Sequence, residues 1–235
     1  MEVQIAVAKV RKYATSNSGD TVEVVERPQG GVSVVMADGQ SSGRGAKMVS
    51  NLVVRKVIAL LAEGVRDGAA ARAASDSLFT ERNGKVSSTL NILSVDQQTQ
   101  TVVITRNNPA PALLAYGDQI KVLDEPSQPV GIYRGTRPVI TEAPLEAGLT
   151  AVIFTDGLVH AGERSGSRLE VATCLEALLE DCISSPQQIA DSLLEQALKL
   201  DEGRPVDDVS VVVVGVLPAT GDEVRRMSVR LPLHS

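Results

Sequence analysis

Soft metal ligands are scarce in this 235-residue chain, which has two cysteines, Cys174 and Cys182, and two histidines, His160 and His234. The histidines are too few and too separated for a zinc cage. The cysteines fall in one expected helix, about 12 Å apart along its axis at roughly 1.5 Å rise per residue, too far for a disulfide. They read as core thiols of a reducing compartment. Clusters of lysine and arginine are missing too. A net charge of −6 leaves no surface suited to phosphate backbones, which excludes nucleic acid as a partner. The short cluster Lys9, Arg11 and Lys12 reads as a solvated strand edge. No run approaches the roughly 20 apolar residues that cross a membrane. Met1 to Val10 alternates charged and apolar residues instead of forming the core of a secretory signal, so the expected location is the cytoplasm.

What the chain does have is enough apolar material for a full core. With 43% hydrophobic and 22% charged residues it fits one domain, or one domain with an appendage. Strand patterns cover Val3 to Val10, Thr21 to Glu26 and Gly31 to Ala37, the third nearly all apolar. After the turn Gly39 to Gly45, a helical pattern places Val49, Leu52, Val53, Val57, Leu60 and Leu61 on one face and ends near Gly64, with Ser41 or Ser42 as its N-cap. An alanine-rich helix from about Asp67 to Arg82 stops at Asn83-Gly84. Four closely spaced strands follow, Val86 to Val95, Thr101 to Asn107, Ala112 to Tyr116 and Ile120 to Leu123, with turns such as Gly117-Asp118. They read as an antiparallel meander. A further strand pair ends at Phe154, two helices cover about Leu169 to Cys182 and Pro186 to Leu200, and the strand Val209 to Leu217 comes last. Ser184 or Ser185 caps the second of those helices. Blocks of strands and helices in this order predict an α+β fold with antiparallel sheets and helices packed outside them. In the remaining tail, Val224 to Leu231 alternates and reads as an edge strand or a partner contact.

Three aspartates stand at strand ends: Asp38 closes Val34 to Ala37, Asp156 closes Val152 to Thr155, and Asp207 opens the run from Val209. If these strands lie side by side, the carboxylates gather at one sheet edge, and uncompensated anions there call for a cation. Oxygen ligands in this number suit a hard ion, magnesium or manganese. The plainer reading of Asp38-Gly39 and Asp156-Gly157 is a favoured turn dipeptide. Two such pairs after near-identical apolar runs, with Asp207-Asp208 before a third, favour a site.

The ordered segments Ser18-Gly19-Asp20, Ala37-Asp38-Gly39-Gln40-Ser41-Ser42-Gly43, Ser88-Thr89-Leu90, Gln128-Pro129-Val130-Gly131-Ile132, Thr155-Asp156-Gly157-Leu158 and Asp207-Asp208-Val209-Ser210 carry a resemblance. The chain resembles the metal-dependent protein serine/threonine phosphatases of the protein phosphatase 2C-like fold, most of all their bacterial SpoIIE-like branch. The resemblance covers about residues 15 to 217. It implies a four-layer α-β-β-α sandwich over 1–217, with 218–235 as a tail. It also implies two divalent cations, Mn2+ or Mg2+, with Asp38 bridging them, the Gly39 carbonyl on one, and Asp156 and Asp207 on the other. Asp20 would stand for the family's N-terminal acidic residue, acting directly or through a metal-bound water. The implied reaction is attack of a metal-bridging hydroxide on phosphoserine or phosphothreonine of a partner protein, such as an anti-sigma-factor antagonist in a partner-switching pathway.

The chain departs from that pattern in places. Gln40 stands where animal relatives carry a histidine, and Asn107-Asn108-Pro109-Ala110-Pro111 replaces the Asn-Ala-Gly-His-Pro-Pro run of many bacterial relatives. Asp208 stands where many relatives carry asparagine. Its plain reading is a strand-start residue bonding to nearby backbone. The arginine that holds phosphate in some relatives has no clear counterpart. Arg44 and Lys12 are substitutes, each with an ordinary solvent-facing reading. The glycine-rich turn lacks the Gly-Lys-Ser/Thr of a phosphate-binding loop, and Met36-Ala37-Asp38 lacks the first of the paired aspartates of haloacid-dehalogenase-type phosphatases. A regulatory pseudophosphatase that acts by protein contact alone is the alternative.

Overall fold

A computed structural model describes residues 1–117, 119–219, 221 and 223–232. Asp118 of the expected turn and His234 lie outside the described residues. The strands are β1 (Glu2–Val10), β2 (Asp20–Glu26), β3 (Gly31–Gly39), β4 (Ser88–Asp96), β5 (Thr101–Asn107), β6 (Ala112–Tyr116), β7 (Gln119–Leu123), β8 (Val139–Pro144), β9 (Leu149–Phe154) and β10 (Val209–Leu217). The helices are α1 (Gly43–Ala62), α2 (Asp67–Arg82), α3 (Asp156–His160), α4 (Val171–Glu180) and α5 (Pro186–Leu200). The strands form two antiparallel five-stranded sheets, ordered β1-β10-β9-β6-β7 and β2-β3-β4-β5-β8.

The nearly all-apolar strands follow from a four-layer α-β-β-α sandwich, in which the central strands are covered on both faces. Alternation along β3 turns Val34 and Met36 into the layer between the sheets, where they meet Leu93, Ile104, Leu114, Ile153, Val212 and Val214. Val35 and Ala37 face the other way, onto Val53, Val57 and Leu61 of α1 and Ala70, Ala74 and Leu78 of α2. In the same way β10 turns Val211 and Val213 outward onto Leu175 of α4 and Ile189 and Leu193 of α5.

This arrangement corrects several expectations. The four middle strands are not one meander: β4 and β5 belong to one sheet, and β6 and β7 to the other. The pair β8 and β9 is likewise divided, β8 bonding to β5 and β9 lying between β6 and β10. The link between β5 and β6 carries Pro109 and Pro111, which have no N–H to extend a ladder. Arg106, only 2% exposed, braces it by donating to the carbonyls of Asn108 (2.7 Å), Ala110 (3.0 Å) and Glu125 (2.5 Å). Ser42 occupies the N-cap of α1 without a side-chain cap bond, whereas the Ser185 hydroxyl accepts from the Gln188 N–H at 3.5 Å, at the start of α5. Helix α4 ends before Cys182, which is exposed. Both cysteines are free, and only Cys174 is partly buried. Residues 223–232 form no strand, and Val224, Met227, Val229 and Leu231 are exposed, so the edge-strand reading of the tail fails. Among the described residues no helix is long and apolar enough to cross a membrane.

Candidate metal centre

Antiparallel pairing dictates where the chain ends meet. The start of β10 lies beside the end of β9, so the Thr155 N–H donates to the Ser210 carbonyl (3.1 Å) and the Ser210 N–H to the Thr155 hydroxyl (2.9 Å). In the other sheet, the start of β2 lies beside the end of β3, with Asp20 opposite Asp38. Asp156 and Asp207 therefore come from one sheet, and Asp20 and Asp38 from the other. The carboxylates do not sit along the edge of a single sheet, as the strand pattern alone predicts; they face each other where two stacked sheets end. Asp38, Gly39, Asp156 and Asp207 line one cleft of about 310 Å³, together with Lys12, Gln40, Ser88 and Thr89.

The two Asp-Gly pairs are not turns. Neither glycine has positive φ. Each lets another backbone approach closely: a Cβ at Gly39 would lie 2.1 Å from the Ala46 carbonyl oxygen of α1, and one at Gly157 would lie 2.1 Å from that of Asp208. Glycine thus presses each aspartate against the element beside it.

Asp20 is fully buried and stands behind Asp38, outside the cleft lining. Its Oδ2 accepts from the hydroxyls of Ser210 (2.6 Å) and Thr155 (3.1 Å), its carboxyl shares a hydrogen bond with that of Asp38, and its buried Oδ1 has no partner beyond that pair. Burial pushes its pKa up to about 6, against the opposing pull of the Ser210 hydroxyl and the Lys9 charge. Asp38 is pushed up to about 9, by burial first and then by the charges of Asp20 and Asp156. Asp156 is raised by burial and by Asp207, and its buried Oδ1 also has no partner. Asp207 is more open, and the Lys12 ammonium lies 4.0 Å away.

Two other ammonium groups come close and do not pair with these carboxylates. Lys9 and Lys47 both donate to the main-chain carbonyl of Asp20, at 2.5 and 2.7 Å. The acidic groups are thus gathered, partly desolvated and short of direct cationic partners. Among the described residues no three acidic, cysteine or histidine side chains close on one point as a ready-made cage. Magnesium and manganese keep several waters and take few carboxylates, so a cleft lined by three aspartates, with the orphaned Oδ1 of Asp156 among their oxygens, fits them.

Several supporting residues carry roles that their types alone do not announce. The Ser88 hydroxyl donates to the Asp38 carbonyl (2.6 Å), and the Thr89 hydroxyl accepts from the Asp38 N–H (3.3 Å). Gln40 is held through its side-chain oxygen by the Ser87 N–H at 3.0 Å. Asn108 is buried, with its amide donating to the Phe154 carbonyl (3.2 Å) just before Asp156. The run that replaces the bacterial motif therefore braces the wall of the site. Asp208 is buried and bonds to the backbone of distant Lys12 and Gly19, not of near neighbours. Of the two substitutes for a phosphate-holding arginine, Lys12 lines the cleft, whereas Arg44 is exposed at the start of α1.

A family model described as Stage II sporulation protein E (SpoIIE) matches residues 28–217. Stage II sporulation protein E of Bacillus subtilis (strain 168) is 24% identical over 215 residues, which are 91% of this chain and 26% of that protein. The chain thus spans about a quarter of the length of that curated relative. Among solved structures, the PP2C phosphatase domain with a regulatory-domain fragment of Bacillus subtilis SpoIIE superposes with a TM-score of 0.77 at 22% identity, over 94% of this chain and 64% of that one. The RsbU and RsbW domains of Rv1364c from Mycobacterium tuberculosis give 0.72 at 20% identity, over 93% and 61%. The catalytic domain of the serine/threonine phosphatase PstP in complex with two manganese ions gives 0.68 at 19%, over 92% and 99%. At these identities the superpositions establish the fold.

Proposed function

The chain belongs to the SpoIIE family of PP2C-like phosphatases, and from that premise we propose that it is a metal-dependent protein serine/threonine phosphatase. The observation that carries this reading is the cleft in which Asp38 from one sheet meets Asp156 and Asp207 from the other, with Asp38 pushed up to about 9. Asp38, Asp156, Asp207 and the Gly39 carbonyl would hold two divalent cations. Manganese is the ion bound by the similar PstP domain, and magnesium shares its preference for oxygen donors. When bound, such cations acidify a water for attack on phosphorus and offset the charge that grows on the phosphoryl oxygens.

The chain's own residues supply position and field. Asp20 backs Asp38 across the β2–β3 pair and shares a hydrogen bond with it, and the Thr155 and Ser210 hydroxyls hold its Oδ2. Gly39 and Gly157 fix the two aspartates before them against α1 and β10. The cleft opens between strand ends, so a phosphorylated side chain on a protein surface can reach it, in keeping with a protein substrate. The family's name and the RsbU-type neighbour support a phosphorylated anti-sigma-factor antagonist of a cytoplasmic partner-switching pathway.

The test is manganese-dependent hydrolysis of a chromogenic phosphate ester and of a phosphoserine protein, with calorimetry of manganese binding. Turnover in the wild type and its loss in a folded Asp38→Asn protein are expected. Absence of both turnover and manganese binding would replace this reading with that of a pseudophosphatase.

A further inference from the structure

Between β1 and β2 the chain crosses from one sheet to the other at the site end, and residues 11–19 form that crossing. Two of its amides are bound by one side chain. Asp208 Oδ1 accepts from the Lys12 N–H at 2.8 Å, and Oδ2 accepts from the Gly19 N–H at 2.7 Å. Both oxygens are thus acceptors from backbone donors, 196 and 189 residues away in sequence. Asparagine has one acceptor oxygen, and its amide would turn a donor towards one of these N–H groups. Both carboxylate oxygens of Asp208 are therefore in use, while neighbouring Asp207, whose Oδ1 accepts from the Asp208 N–H (2.9 Å), faces the cleft.

The loop tied down in this way carries Lys12 to the cleft. Lys12 is the one cationic side chain among the described lining residues, opposite three aspartates, and it stands 4.0 Å from Asp207 with about a third of its side chain exposed. We propose that Asp208 is a positioning residue: its carboxylate clamps the β1–β2 loop at both ends, and the clamp presents the Lys12 ammonium to the phosphoryl group of the substrate. This rests on the phosphatase reading above. Lysine suits the role as a point charge on a flexible stem, needing only a fixed anchor for its backbone. The clamp supplies that anchor. The Tyr13 N–H to Pro205 carbonyl bond (3.0 Å) holds the loop directly after Lys12, so loss of the clamp loosens the loop without detaching it.

The experiment compares wild type, Asp208→Asn, Lys12→Met and the double variant at saturating manganese. It measures KM and kcat for a chromogenic phosphate ester, manganese affinity by calorimetry, and hydrogen exchange of the Lys12 and Gly19 amides. In Asp208→Asn these amides exchange faster and KM rises about tenfold, the scale of one charge-assisted hydrogen bond, with manganese affinity changing far less. Lys12→Met raises KM similarly, and the double variant is no worse than Lys12→Met alone, because the clamp acts through the lysine. Additive KM effects, or unchanged amide exchange, would overturn the proposal. Lys12 is partly exposed, so its variant remains informative even if Asp208→Asn folds poorly; an unchanged KM there also overturns it. A wild type without manganese-dependent turnover would refute the phosphatase reading itself. The clamp would then stand or fall on amide exchange and on the binding of inorganic phosphate, which Lys12→Met and Asp208→Asn should weaken alike.

Discussion

Replacing Asp38 with asparagine should stabilise the chelator-treated protein, and by an amount that depends on pH. In the fold Asp38 is pushed up to about 9, chiefly by burial and then by Asp20 and Asp156, whereas an unfolded aspartate titrates near about 3.9. Between these values the native state holds a proton that the unfolded state has released. Stability is therefore fully present below the unfolded value and is lost as pH rises towards the folded one. Each pH unit in this window removes about 1.4 kcal/mol, so from pH 5 to pH 8 the wild type should lose about 4 kcal/mol relative to Asp38→Asn. At about 2–4 °C per kcal/mol for a chain of this size, the melting temperatures should diverge by about 8–16 °C over this range. Thermal melts in EDTA at several pH values provide the assay, and the difference between the two proteins cancels titrations that they share. Manganese should narrow the gap at pH 8, since it stabilises only the protein that binds it, by about 2.7 kcal/mol at a hundredfold excess over Kd. A difference in melting temperature that stays constant from pH 5 to pH 8 would show that Asp38 is an ordinary solvated carboxylate, and the electrostatic argument for the site would fail.

Gly157→Ala should destabilise the chain by about 1–3 kcal/mol and weaken manganese binding, because its Cβ would meet the Asp208 carbonyl oxygen at 2.1 Å and force Asp156 or β10 to move. Melts and calorimetry read both effects, and unchanged values would mean that the glycine does not set the position of Asp156. Arg106→Met should cost about 3 kcal/mol or more, since the carbonyls of Asn108, Ala110 and Glu125 lose a shared buried donor. A urea titration with unchanged slope and lower midpoint is the expected result, and an unchanged midpoint would show that these carbonyls are satisfied in other ways.

Local pattern revealed the elements well where local forces decide them. The bounds of α2, β5 and β6 follow directly from the alanine-rich helical run and from alternation closed by turn residues. What the pattern could not carry is the assignment of strands to sheets. Closely spaced strands such as β4 to β7 satisfy the same spacing rules whether they form one meander or divide between two layers. The division depends on a buried arginine and two prolines at 106–111, whose meaning appears only when their partners are in place. The glycines that follow Asp38 and Asp156 have the same character: a turn and a close approach both require Gly, and only φ and the neighbouring backbone separate them.

The acidic residues themselves were legible, because strand-terminal aspartates after apolar runs are unusual in chemistry as well as in position. Their division of labour was not. Asp207 and Asp208 are adjacent and alike in sequence, yet one faces the cleft and the other takes two amides from the far end of the chain. The same holds for the nearby lysines. A fold that used Asp20 as a structural ion pair would aim Lys9 or Lys47 at its carboxylate. Both instead bind its main-chain carbonyl, and the carboxylate is met by neutral hydroxyls that hold it without cancelling its charge. Burial with such partners costs stability unless positive charge arrives from outside. The arrangement therefore makes sense as an electrostatic deficit that the fold maintains for bound cations, with Lys12, on its clamped loop, as the protein's own cation at the mouth of the cleft.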